Sequence, residues 1–210
     1  ALEAMIPVLE GRLPIGVSAD RATDIEAAIL LAREYGLRAI IVGGAEAWMV
    51  ADAIAAARVP VLVGAMSNIP TSFSAVGSRQ ENAALLRRAG ATVALIGNGA
   101  GDAELFNVRN IRYEAGNAVA YGMAWDDALR AITLTPAEIF GVPDRIGALR
   151  PGMDANVVVW SGDPLELLTL AERVYIKGVE MSDATRQRML MDRYRTLPPD
   201  FDTPAGRAPR

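Results

Sequence analysis

Over the first 145 residues the apolar positions alternate between two textures. Short β-type runs come first in each repeat: Leu13–Val17, Leu37–Val42, Val59–Val63 and Thr92–Ile96. Each is apolar almost without a break, as expected of strands covered on both faces. Each gives way to a longer stretch with helical spacing. In the first such stretch Ile25, Ala28, Ile29 and Ala32 share one stripe. Strand alternating with helix predicts a parallel sheet. The four strand–helix units follow at irregular intervals of roughly 20 to 30 residues, which fits βα units rather than a solenoid.

Helix boundaries are marked by capping patterns. Thr23 with Glu26, Ser78 with Glu81 and Thr135 with Glu138 each spell a Ser/Thr-x-x-Glu box, the last with Pro136 behind its Thr. Gly36, Gly90 and Gly141 are placed to end the corresponding helices in the left-handed conformation. Helical stretches are also expected near 46–57 and 107–134.

After residue 145 the texture changes. Gly147–Gly152 is a turn-rich link. Val157–Trp160 and Val174–Ile176 read as antiparallel-type strands, with Ser161-Gly162-Asp163-Pro164 as the turn between them. Residues 182–196 read as a strongly charged helix. Pro198–Arg210 holds four prolines and reads as a loosely attached tail.

Composition narrows the chemistry sharply. The 210 residues include no histidine and no cysteine. The usual general base near neutral pH is therefore missing, together with the nitrogen and sulfur ligands favoured by zinc, copper and nickel. A Ser-His-Asp triad, a Cys nucleophile and a zinc finger are excluded for this chain. A carboxylate site suited to Mg²⁺ or Ca²⁺ stays open. The net charge of −4 and the absence of a basic cluster speak against a nucleic-acid partner. Lys177 is the one lysine, so nearly all positive charge is arginine. No apolar run approaches the ~20 residues of a membrane helix, so no membrane partner is expected. The start does not read as a signal peptide, and the compartment, cytoplasmic or exported, stays open. Ala1 is not an initiator Met, and the expected start of translation lies upstream.

Several local signals admit two readings. Gly97-Asn98-Gly99-Ala100-Gly101 follows a strand and resembles a phosphate-cradling loop, but Asp102 stands where a third fingerprint glycine belongs. A flexible loop is the plainer reading. Gly43-Gly44 before Glu46 reads as a tight turn in which Glu46 favours the following helix dipole, with an anion site as the alternative. Asp52, Asp126 and Asp127 fall on helix exteriors as solvated charges. Trp48, Trp125 and Trp160 are scattered packing residues. The segment Asp183–Arg195 mixes Arg with Met and Leu, and its spacing fits docking either on the rest of the fold or on a partner.

The block Arg109–Ala120, the run Ala128–Ala137 and the stretch Asp144–Pro164, with its Gly147-Ala148-Leu149-Arg150-Pro151-Gly152-Met153-Asp154-Ala155-Asn156 core, carry a family pattern. They resemble the C-terminal half of an amidohydrolase-superfamily protein of the imidazolonepropionase-like and prolidase-like branch. The resemblance implies an α/β fold: the C-terminal half of a (β/α)₈ TIM-like barrel plus a small β-sandwich segment. Residues 1–145 would be the half barrel with strands 5 to 8, residues 146–181 the sandwich segment, and residues 182–210 a C-terminal helix and tail. It also implies a fragment, a cleaved product or one piece of a split protein. The expected partners are the missing N-terminal half, a second copy, or an amidohydrolase homologue.

The resemblance further implies a metal-bound hydroxide that attacks a carbonyl or amidine carbon. Its ligands are a His-x-His pair after strand 1, often a modified lysine on strand 4, histidines after strands 5 and 6, and an aspartate after strand 8. The strand 5 position falls on Ser18, a following histidine-like position on Asp20, the strand 6 position on Gly43, and the strand 8 position on Asn98, or on Gly99 with a one-residue shift. Serine is a weak neutral ligand, glycine offers none, and asparagine brings no negative charge. Two upstream ligands alone fall short of the three that a catalytic zinc needs. Asp20, Arg21, Glu46 and Asp102 remain as pocket residues, and Asp20 or Asp102 is the candidate for a displaced carboxylate ligand. The expectation is no cofactor and no catalytic residue in this chain, which would serve as a structural or regulatory partner of an active homologue. The alternative is hydrolysis of a carbon–nitrogen bond in a peptide-like or cyclic amide at an atypical site, with a divalent metal such as zinc held mainly by residues outside this chain. A weaker third reading is a small-molecule binder using the vacated pocket.

Overall fold

The structure, a computed structural model, describes residues 2–66, 70, 72–97, 108–182 and 184–195. Its centre is a four-stranded parallel sheet in the order β1 (Ile15–Ala19), β2 (Ala39–Gly43), β3 (Val61–Val63) and β4 (Val93–Leu95). The strands lie up to two residues from the apolar runs that predict them. Leu13, after a short helix α1 (Ile6–Leu9), stays outside β1, half-exposed, with its N–H on the Pro7 carbonyl.

Pairing is in register, so each cross-sheet row lies on one face. Val17, Ile41, Val61 and Val93 form one row; Ser18, Val42, Leu62 and Ala94 form the next, on the opposite face. The first face packs on the helices between strands, α2 (Ala22–Tyr35), α3 (Ala51–Ala57) and α4 (Asn82–Arg88). Ile25, Ile54 and Leu86 from these helices are fully buried against Ile41, Val61 and Val93. At about 25 cal/mol per Å² of apolar area, burying each such side chain favours folding by roughly 1.5–3 kcal/mol.

The other face is closed differently. After β4 come α5 (Ile111–Ala120), α6 (Trp125–Ile132) and α7 (Leu134–Ile139), and Ile139 packs on Ile40, Leu62 and Ala94. β1 departs from the expectation of cover on both faces. Gly16 and Ser18 are exposed, because β1 ends the sheet and nothing described lies across their face.

The capping boxes are not used as the sequence predicts. α2 begins at Ala22 behind Arg21, and neither Thr23 nor another N-cap side chain closes it. Ser78 turns its hydroxyl to the Ala75 carbonyl, and Glu81 pairs with Arg79. α7 starts at Leu134, so Thr135 lies inside the first turn and is buried. The termination signals do operate. Gly36 sits at φ +64°, where an L side chain is disfavoured, and Leu37 donates to the Ala32 carbonyl in the closing turn. The expected helix over 107–134 is broken, with Gly122 at φ +97° between α5 and α6 and Thr133 between α6 and α7.

The C-terminal part adds a three-stranded antiparallel sheet, β5 (Val157–Trp160), β6 (Ala171–Ile176) and β7 (Val179–Glu180). β5 and β6 are joined not by the tight Ser161–Pro164 turn but by a longer loop through residue 170. Arg112 on α5 fastens that loop, donating to the carbonyls of Pro164, Glu166 and Leu167 at 3.1, 2.8 and 3.4 Å. Its guanidinium stacks over Tyr113 and Trp160, which sit on α5 and β5 respectively. A last helix, α8 (Arg186–Tyr194), follows. Among the described residues no helix is long and apolar enough to cross a membrane.

Candidate functional site

In a parallel βα array, loops that follow the strands converge at their C-terminal ends. Here that end is built from Ser18–Arg21 after β1, Gly43–Glu46 after β2, Ala65 and Met66 after β3, and Gly97 after β4. Asn98, Gly99 and Asp102 lie outside the described residues, as does the Asn98–Gly101 part of the glycine-rich loop. Ser18, Asp20, Arg21, Gly43 and Glu46 are all placed at this mouth.

Gly43 and Asp20 fit together closely. Gly43 has φ +101°, and a Cβ built on it would stand 2.7 Å from Asp20 Oδ1. The Asp20 carboxylate thus fills the space into which a side chain at position 43 would grow. It is held there by the Ala45 N–H, 3.2 Å from Oδ1, while the Asp20 carbonyl accepts from Glu46 N–H at 2.8 Å. Gly44 is confined as well, with its virtual Cβ 3.1 Å from Ala47 and 3.2 Å from Val61, and its carbonyl accepts from buried Asn82 Nδ2 at 2.8 Å.

Glu46 does not favour its own helix as expected. Its Oε2 accepts the Ala22 N–H at 3.1 Å, capping α2 from the neighbouring loop. Its Oε1 accepts the Gly77 N–H at 3.1 Å. A carboxylate at the first amide of α2 satisfies an orphan donor and the positive end of the dipole together. Trp48 then donates its indole N–H to the Gly77 carbonyl at 2.8 Å, so Glu46 and Trp48 grip both ends of that residue. Arg79 lies 4.7 Å over the Trp48 ring.

A third carboxylate is one the sequence reading passed over. Glu114 on α5 is 2% exposed, and its Oε2 accepts the N–H groups of Ala65 and Met66 at 2.7 and 2.8 Å. The signal was present: Glu114 shares a helical stripe with Ala118, which an acid does without reason only rarely. Arg21 stands exposed at the N-cap of α2, where its carbonyl accepts from Asp24 and Ile25. Ser18 is exposed, on the sheet face opposite α2–α4 that it shares with Val42 and Leu62.

Asp20, Glu46 and Glu114 each spend acceptor capacity on backbone N–H groups beside the strand ends. Among the described residues no three His, Cys, Asp or Glu side chains gather in a way that could hold a metal ion. The described donor set therefore does not fit a catalytic zinc centre, which takes three protein ligands.

Four parallel βα units with their polar groups collected at the strand C-termini define one half of a (β/α)₈ barrel. The amidohydrolase family model matches residues 19–185, and the chain belongs to that family. Among solved structures it is similar to an amidohydrolase from Thermotoga maritima MSB8, with 35% identity and a TM-score of 0.78 over 86% of this chain and 46% of that one. A prolidase complexed with N-methylphosphonate-L-proline shares the fold, with 18% identity and a TM-score of 0.59 over 79% of this chain and 44% of that one. The amidohydrolase tasK of Hapsidospora irregularis is 33% identical over 82 residues, 39% of this chain and 8% of that protein. The chain thus spans under half the length of each of these relatives.

Proposed function

We propose that this chain is a non-hydrolytic half of an amidohydrolase-type barrel that acts as the structural or regulatory partner of an active homologue or of a complementary half. In this reading residues 1–145 form the half barrel, 146–181 the sandwich segment, and 182–210 an appended helix and tail. One observation carries it: the Asp20 carboxylate occupies the space beside Gly43 where a side chain would reach toward a reaction centre. Supporting it, Glu46 and Glu114 are committed to backbone donors of neighbouring loops. Such carboxylates hold the mouth in shape and leave no described set of ligands for a hydroxide-generating metal. β1 ends the described sheet, and its free edge calls for a further strand, which a complementary half would supply.

The test is metal content and hydrolysis. The chain is purified without chelator, alone and co-expressed with the N-terminal half of an amidohydrolase. Bound zinc, iron and manganese are measured by plasma mass spectrometry. Turnover is assayed on N-acyl-proline and cyclic-amide substrates. Substoichiometric metal and no turnover in both samples are expected. Stoichiometric metal with turnover would overturn the reading in favour of a C–N hydrolase with an atypical site.

A further inference from the structure

α8 is unlike the other α-helices described. No residue of it is buried, whereas each of the others buries at least one. It is also the one with a side-chain cap, since Thr185 Oγ1 accepts the Arg188 N–H at 3.1 Å. Leu190, Met191 and Tyr194, at three- and four-residue spacing, form an apolar stripe that is 40, 61 and 61% exposed. Around the stripe stand Arg186, Arg188, Arg193 and Arg195 against the single Asp192, a local charge of +3 in a chain of −4. The remainder of the chain therefore carries −7. A nine-residue helix that buries none of its residues is too short to hold in water on its own cap alone. It calls for an acidic surface with an apolar centre.

The body of the chain has one. A groove of about 420 Å³ runs between α2, the Ala47–Val50 turn, α3 and α4. Trp48, Met49, Val50 and Leu85 give it apolar walls, Glu26 and Asp52 stand on it as exposed acids, and the one cation beside it, Arg79 over the Trp48 ring, is already paired with Glu81. Met49 is 47% exposed, so the apolar wall is accessible. The chemistry matches α8: an apolar stripe for the walls, arginines for the two acids.

We propose that α8 of one copy of this chain docks in the α2–α4 groove of a second copy. Among the described residues none buries the stripe, and a second copy supplies the same acidic groove. Reciprocal exchange uses both helices and both grooves and closes as a two-fold dimer. The proposal is independent of whether the barrel mouth holds a metal.

The test is sedimentation velocity of the full chain at micromolar concentration. A dimer is expected. Leu190→Glu with Met191→Glu is expected to weaken association at least tenfold, with the circular dichroism melt otherwise retained. A groove variant, Glu26→Arg with Asp52→Arg, and an arm variant, Arg188→Glu with Arg193→Glu, are each expected to be monomeric. An equimolar mixture of the two restores the dimer, because each arm then meets a groove of opposite sign. The chain has no cysteine, so a Met191→Cys copy mixed with an Ala53→Cys copy gives a second readout, a mixed disulfide between copies. A monomeric wild type, a dimer indifferent to the Leu190 and Met191 changes, or a mixture of charge variants that stays monomeric would overturn the proposal.

Discussion

Glu114 Oε2 lies 2.7 Å from the backbone nitrogen of Ala65, so a carboxylate on α5 closes the end of β3, a strand 49 residues earlier. The same oxygen takes the Met66 N–H. Replacing Glu114 by Ala strands two amides beside the core, and a loss of about 3 kcal/mol is expected. Glu114→Gln keeps a carbonyl oxygen that can accept both and is expected to lose about 1 kcal/mol. Urea melts of the two variants check the ordering; equal losses would mean that the charge, rather than the acceptor, matters.

Gly77 is gripped from both sides by Glu46 and Trp48, and its virtual Cβ stands 2.9 Å from Glu46 Cγ and 2.5 Å from Met49 Cε. The methionine tip can swing away, but Glu46 is pinned at both oxygens. Gly77→Ala is expected to cost about 1–3 kcal/mol by overpacking. In a Glu46→Ala background the same change is expected to cost markedly less, which a double-mutant cycle measures.

Gly43→Ala suffers twice, from φ +101° and from the Asp20 oxygen at 2.7 Å. Asp20→Ala removes the second obstacle only. The pair is expected to be non-additive by about 1 kcal/mol in favour of the double variant. Strict additivity in thermal melts would mean that Asp20 already moves aside at no cost.

Arg79 and Glu81 are both exposed, and the hydrogen bond from Arg79 Nε at 3.1 Å holds the Glu81 carboxyl below its ordinary range. A carboxyl lowered in the folded state adds stability above its unfolded pKa, and that addition fades as pH falls through the lowered value. Solvent keeps the effect small. In Arg79→Gln, NMR titration of Glu81 is expected to return toward the ordinary value. An unchanged titration would point to the backbone contact as the cause.

Arg112 serves three carbonyls of the loop between β5 and β6. Arg112→Lys keeps the charge but loses the planar fork, and about 1–2 kcal/mol is expected to go with it. Amide hydrogen exchange is expected to speed up at Leu165–Leu170 before it changes in β1–β4.

The parallel sheet was legible because its strands are short apolar runs separated by helical stripes, a pattern set by burial alone. The family was legible in other residues, the blocks Arg109–Ala120, Ala128–Ala137 and Asp144–Pro164, and Gly36, Gly90 and Gly141 end their helices as expected. The helix starts were not legible. A Thr-x-x-Glu box competes with any carboxylate that the tertiary fold delivers to the same amides, and at α2 Glu46 arrives from the next loop. For the same reason Glu46 and Glu114 could be named in sequence as acids but not assigned their partners, which lie 24 and 49 residues away. Asp20 is legible as a pocket carboxylate. Its fit against Gly43 depends on a backbone angle that no side-chain pattern encodes.

Ile139 closes the sheet face formed by Ile40, Leu62 and Ala94, although it follows β4 by a long stretch of chain. On the ribosome, the four strands emerge well before their cover does. Until α7 has left the exit tunnel, Ile40, Leu62 and Ala94 lack the cover that Ile139 gives them. Synthesis of this protein carries a built-in delay between pairing and sealing, and its length is fixed by the distance from Leu95 to Ile139.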